Sequence, residues 1–84
     1  MVIIGEVNEI LDKSKPEFKK QVAIVSDSMN RKNTWAIEFR KHMSDIAKAL
    51  HPGDRVKVTV FNDFKKDKYS NCYNNVVAEQ LERI

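Results

Sequence analysis

From Thr34 to Arg40 the chain alternates strictly, with Trp35, Ile37 and Phe39 on one phase and Thr34, Ala36, Glu38 and Arg40 on the other. Period two marks a strand with one face buried. The period then lengthens: Met43, Ile46, Ala47 and Leu50 stand at i, i+3, i+4 and i+7, the apolar face of a short helix. His51-Pro52-Gly53-Asp54 ends that helix, since proline cannot continue it and glycine accepts a positive φ. Alternation returns at once, with Val56, Val58 and Val60 set against Arg55, Lys57, Thr59 and Phe61. One short helix caught between two half-buried strands is the strongest constraint on the fold.

The rest of the chain supplies more strands. Val2 to Leu11 is β-branched and apolar, and Gly5 within it predicts a bulge or sharp bend. Asp12 to Glu17 is polar and contains Pro16, so it reads as a loop. In the next strand Phe18, Val22 and Ile24 share the phase assigned to the core, which leaves Lys19, Gln21, Ala23, Val25 and Asp27 facing out. Ser28 to Asn33 reads as a hairpin connection. Asn62 to Asn71 reads as a lysine-rich hairpin loop. Cys72 to Ile84 is a last strand, with Tyr73, Val77 and Leu81 in one phase and Val76 and Ala78 in the other. The order β-β-β-α-β-β describes an all-β domain with one short helix, the chain order of a five-stranded OB-fold barrel. A split half-barrel or an SH3-like barrel is the alternative, and a helix at this point favours OB. Eighty-four residues make one domain with no room for a second core.

Charge is informative through its distribution. Fifteen Lys and Arg against twelve Asp and Glu give only +3, but between Lys13 and Lys68 fourteen basic residues face seven acidic ones. A basic middle between acidic ends points to a polyanion partner. A composition of 42% hydrophobic and 32% charged residues is that of a folded globular chain. No apolar run is long enough for a membrane span or a signal peptide, so no membrane partner is expected. Cys72 is the only cysteine, which excludes an internal disulfide and makes a reducing cytoplasm the expected location.

Several stretches carry a resemblance. Leu50-His51-Pro52-Gly53-Asp54-Arg55-Val56-Lys57-Val58 resembles the helix-to-strand junction Leu-x-x-Gly-Asp-x-Val-x-Val of small bacterial OB-fold proteins, and Ile4-Gly5-Glu6-Val7 resembles their first strand. Thr34-Trp35-Ala36-Ile37-Glu38-Phe39 resembles the third strand of bacterial single-stranded DNA-binding proteins and of the related primosomal replication protein. Val76 to Leu81 is similar to their closing strand. Length and chain order also resemble a Bacteroidetes family of short, uncharacterised OB domains. The resemblance covers almost the whole chain, and most of it specifies the fold. It implies that a single strand of nucleic acid lies across strands two and three, flanked by the first and fourth connecting loops. Ending at Ile84, without a long acidic-tipped tail, the chain is expected to sit nearer the primosomal type.

Such a site needs cations for phosphates and aromatic faces for bases. The fourth loop supplies Phe64, Lys65, Lys66, Lys68, Tyr69 and Tyr73, close behind Phe61. The first supplies Lys13, Lys15, Lys19 and Lys20 around Phe18, and Lys57 adds a cation on the outward phase of its strand. Loop lysines are also ordinary solvated residues, and Phe18 and Tyr73 share phases with core positions. Trp35, opening its strand, either packs inside or stacks a base. The outward phases of strands two and three lack a stacking platform and carry Asp27 and Glu38, which would repel phosphates. Small residues there, Ala23, Val25 and Ala36, suit a subunit interface instead, so a protein-interaction or assembly module is the rival reading.

Catalytic patterns are absent: no glycine-rich phosphate loop, no His-Glu-x-x-His and no paired cysteines. His42, His51 and Cys72 lack ligand spacing and read as an exposed His, a turn-end His and a half-buried Cys. The sequence predicts a non-enzyme without cofactor or metal, a homodimer or higher homo-oligomer whose partner is single-stranded DNA or RNA.

Overall fold

The computed structural model describes residues 1–30 and 32–84, so Arg31 of the expected Ser28–Asn33 connection lies outside the described residues. The elements are β1 (Val2–Asp12), β2 (Lys20–Asp27), β3 (Thr34–Arg40), α1 (His42–Ala47), β4 (Arg55–Lys66) and β5 (Cys72–Arg83). They close into a barrel in the order β1-β2-β3-β5-β4, antiparallel except where β3 meets β5. This is the expected all-β, five-stranded OB-type barrel with its single short helix between the third and fourth strands. No helix among the described residues is long and apolar enough to cross a membrane.

Closure depends on β1, which pairs with β4 over Val2–Glu6 and with β2 over Gly5–Asp12. The bulge expected at Gly5 falls instead at Asn8, where the register shifts between Val7 and Glu9. Gly5 serves a different need. It faces Asp27 and Val56 on its two neighbours, and a side chain there would collide with the Ser26 carbonyl oxygen and with Val25 Cγ1. Beside the bulge, Val7 donates to the Asp54 carbonyl at 2.8 Å and accepts from Gly53 N at 2.7 Å, which docks the helix-to-β4 turn onto β1. Gly53 has the positive φ expected of it, 96°.

The core contains Ile3, Val7, Ala23, Val25, Ile37, Phe39, Val56, Val58, Val60 and Ala78, with Met43, Ala47 and Leu50 packed against them from the helix region. β3 and β4 have the phases read from the sequence. β2 has the opposite one: Gln21, Ala23 and Val25 are buried, Val22 and Ile24 lie half-exposed outside, and Phe18 is 42% exposed. Pairing explains the inversion. Residues directly opposite in a sheet share a face, and Ala23 opposes Ile37 while Gln21 opposes Phe39. The bulky β3 residues settle which side of β2 points in, and Ala23 leaves them room.

Two further differences follow from irregularities that periodicity cannot register. On β5 the pairing skips Glu79 between Ala78 and Gln80, so Val76, Ala78 and Leu81 all reach the core side although the sequence splits them between phases. In α1 the helix stops at Ala47, and the tighter bonds Ala49 N to Ile46 O and Leu50 N to Ala47 O turn Leu50 inward. Ile46, expected on the apolar face, is exposed. Ser44 is buried in its place and donates from Oγ to the Lys41 carbonyl at 2.7 Å.

Both connecting arms are more ordered than expected. The β4–β5 ladder continues to Lys66 opposite Cys72, so the loop expected over Asn62–Asn71 shrinks to a turn at 67–71. Asp67 ties that turn together, accepting from Tyr69 N at 2.8 Å, Asn71 N at 2.9 Å and Asn71 Nδ2 at 3.0 Å. The arm leaves the barrel with solvent on both faces, so its strands show no apolar alternation. Between β1 and β2, Lys15 and Phe18 exchange both backbone bonds (2.9 and 3.0 Å), making the expected loop a ribbon with Pro16 and Glu17 at its tip.

Candidate nucleic-acid interface

The two arms flank an open cleft of about 570 Å³. The β1–β2 ribbon contributes Lys13, Lys15 and Phe18, and β2 adds Lys20 and Val22. Thr34, Trp35, Ala36 and Glu38 come from β3, and Asn74, Asn75 and Val76 form the β5 wall. The cleft opens where β3 and β5 diverge, because these strands pair only at Ile37–Val76 and Glu38–Val77. Sequence reasoning missed Val22 through the inverted phase of β2. The consecutive Asn74 and Asn75 were the legible sign: asparagine is disfavoured in strands, so a pair of them inside one hints at a role other than packing.

Aromatic surface enters from two sides. Phe18, expected in the core, stands exposed, with Lys15 Nζ 5.8 Å from its ring centroid. Trp35 is half-buried against the core and also lines the cleft. Its Nε1 donates to Asp27 Oδ2 at 3.1 Å. That bond, with those from the Met29 and Asn30 backbone, holds the Asp27 carboxyl below its ordinary range. Asp27 is not on the outer sheet face as expected; it lines a separate cleft with Glu6, Ser26, Ser28 and Arg55.

Among the described residues Glu38 is the one acid lining this cleft, and it is not a bare charge. Its Oε1 lies 3.2 Å from Lys20 Nζ and 3.2 Å from Arg40 Nη2. Arg40 Nη1 continues to Asp63 at 2.8 Å, and Lys65 Nζ lies 3.9 Å from the same Asp63 oxygen. Burial opposes the Arg40 charge, but hydrogen bonds and attraction from Asp63 and Glu38 outweigh it and raise the guanidinium pKa. The Arg40–Asp63 pair crosses β5, whose Val77 on that outer face is only 3% exposed. Lys13 and Lys15, by contrast, have no carboxylate within 4.0 Å among the described residues.

The remaining expected site residues divide into two groups. Phe64, Lys65, Lys66, Lys68, Tyr69 and Tyr73 lie along the β4–β5 arm and its tip, outside the cleft lining. There Lys68 Nζ stands 5.1 Å over the exposed Tyr69 ring, and Tyr73, also exposed rather than packed, donates from Oη to Asp67 at 3.3 Å. Lys19 and Lys57 point elsewhere. Lys19 pairs with Asp45 of α1 at 3.6 Å, and Lys57 lies 4.0 Å from Glu82, beside a cleft lined by Met43, Ile46 and Leu81.

The small-residue face suggested for an assembly module does not exist, since Ala23 and Val25 are in the core and only Ala36 is outside. Cys72, expected half-buried, is exposed on the arm. Among the described residues no three His, Cys, Asp or Glu side chains gather to hold a metal ion. No protein-family model matches the chain, and no curated protein sequence matches it.

Proposed function

We propose that the chain binds single-stranded nucleic acid, principally single-stranded DNA and without sequence specificity, in the cleft between its two arms. The observation that carries this reading is the pairing of Lys13, Lys15 and Lys20 with the accessible rings of Phe18 and Trp35 on one open surface. Lysines there neutralise phosphates and release counterions. Each stacked base contributes about 1–3 kcal/mol, and flat aromatic faces accept any base. Phe64, Lys66, Lys68 and Tyr69 extend the track along the β4–β5 arm, and a homodimer lengthens it further. On this reading the chain is a non-enzymatic relative of the small bacterial OB proteins that handle single strands in replication or repair, acting in the cytoplasm without a cofactor.

Titrating labelled oligo-dT and a duplex of equal length at two salt concentrations tests the proposal. The expected result is a preference for the single strand and weaker binding at higher salt. Failure to bind at low salt, or equal affinity for duplex, would refute it.

A further inference from the structure

Glu38 occupies an unusual position in the cleft. Its residue is only 8% exposed, yet it lies on the outer face of β3 and lines the cleft. One oxygen, Oε1, sits within 3.2 Å of Lys20 Nζ and accepts from Arg40 through both Nε, at 3.3 Å, and Nη2, at 3.2 Å. The guanidinium edge and an ammonium, both groups that serve as phosphate ligands in proteins, thus form one anion-binding pocket around this oxygen. Here the protein's own carboxylate fills it.

We propose that Glu38 is a built-in stand-in for a ligand phosphate: braced by Arg40, it holds Lys20 in an anion-binding arrangement and competes with the incoming strand for Lys20. This rests on the nucleic-acid reading above and adds a regulator to that same site. Lys13 and Lys15 make the first contacts, being unpaired among the described residues. Lys20 becomes available only when its pair with Glu38 loosens. The ion pair thereby holds affinity down and favours rapid release over tight binding.

Two features separate competition from a generic effect of removing negative charge. A competitor acts through Lys20, so its removal should have little effect once Lys20 is gone. A charge at the ribbon tip, such as Glu17, should give only the smaller, nonspecific gain. The test compares wild type, Glu38→Gln, Glu17→Gln, Lys20→Gln and the Glu38→Gln/Lys20→Gln pair, using oligo-dT and, separately, inorganic tripolyphosphate. Glu38→Thr serves as a second substitution suited to a strand should the glutamine variant fold poorly.

Glu38→Gln should bind oligo-dT about tenfold more tightly at low salt and steepen the salt dependence by about 0.7, the value for one added phosphate contact to a single strand. Glu17→Gln should gain no more than about threefold, and Lys20→Gln should abolish the extra gain. Unchanged or weaker oligo-dT binding by Glu38→Gln, or an equal gain without Lys20, overturns the competition while leaving the nucleic-acid reading standing. If Glu38→Gln gains tripolyphosphate binding through Lys20 and no variant binds oligo-dT, the competitor stands and the nucleic-acid reading falls. Binding of neither anion by any variant overturns both.

Discussion

Trp35 is tied by its indole N–H to the carboxylate of Asp27, 3.1 Å away across the β2–β3 hairpin. The bond fixes the indole at the rim of the cleft, with one edge held and the ring packed partly on the core. A ring held this way costs less conformational entropy to use in stacking than a free side chain does.

Acid should loosen this arrangement. Asp27 is held below its ordinary value of 3.8 by Trp35 first and by the Met29 amide next; Asp67 is lowered mainly by Asn71, and Asp12 by Ser14. A depressed carboxyl pKa contributes stability above the unfolded value, and that contribution disappears as pH falls through the folded one. The thermal midpoint should therefore hold steady from pH 7 to about 5 and drop below about pH 4. Asp27→Asn should flatten part of that drop, and Trp35 fluorescence should shift over the same range.

Gly5 should be the least replaceable glycine. A methyl there meets the Ser26 carbonyl and Val25 Cγ1, one of them backbone, in the strand that joins both sides of the barrel. Gly5→Ala should cost about 2–3 kcal/mol or prevent folding. Gly53→Ala meets no neighbouring atom and bears only the cost of its φ of 96°, about 1 kcal/mol. Urea unfolding of the two variants checks the order.

Gln21 should be a stability reserve. It is 3% exposed, and its Nε2 makes no well-formed hydrogen bond among the described residues, only a weak interaction with the Asp12 carboxylate on the neighbouring strand. An unpaired buried amide costs about 1–3 kcal/mol, so Gln21→Met, similar in volume and apolar, should stabilise the protein by about 1 kcal/mol in urea unfolding.

The order of elements was legible because β3, the helix region and β4 each bury one face cleanly. The phase of β2 was not. Val22 and Ile24 look like core residues, and only their partners across the ladder reveal that Ala23 and Gln21 lie inside. Bulges at Asn8 and Glu79 shift the phase without leaving a composition signal. For the site, the ribbon lysines could be named from the sequence, but which of them share a surface could not. Lys19 and Lys20 are neighbours in the chain, yet alternation sends one to Asp45 of α1 and the other into the cleft. The exposure of Phe18 depends on a two-residue turn at Pro16 and Glu17 that looked like a longer loop.

That division among lysines gives the most direct test. Oligo-dT titrations at low salt, followed by Trp35 fluorescence and anisotropy, should compare Lys13→Gln/Lys15→Gln/Lys20→Gln with Lys19→Gln/Lys57→Gln. The account expects saturable quenching in wild type. It expects more than about tenfold loss and a salt slope reduced by about 1.4 in the cleft variant, the two contacts of Lys13 and Lys15 with Lys20 held by Glu38, and a change within about twofold in the other. Equal losses in both, or oligo-dT binding that leaves Trp35 unperturbed and survives the cleft substitutions, would contradict it.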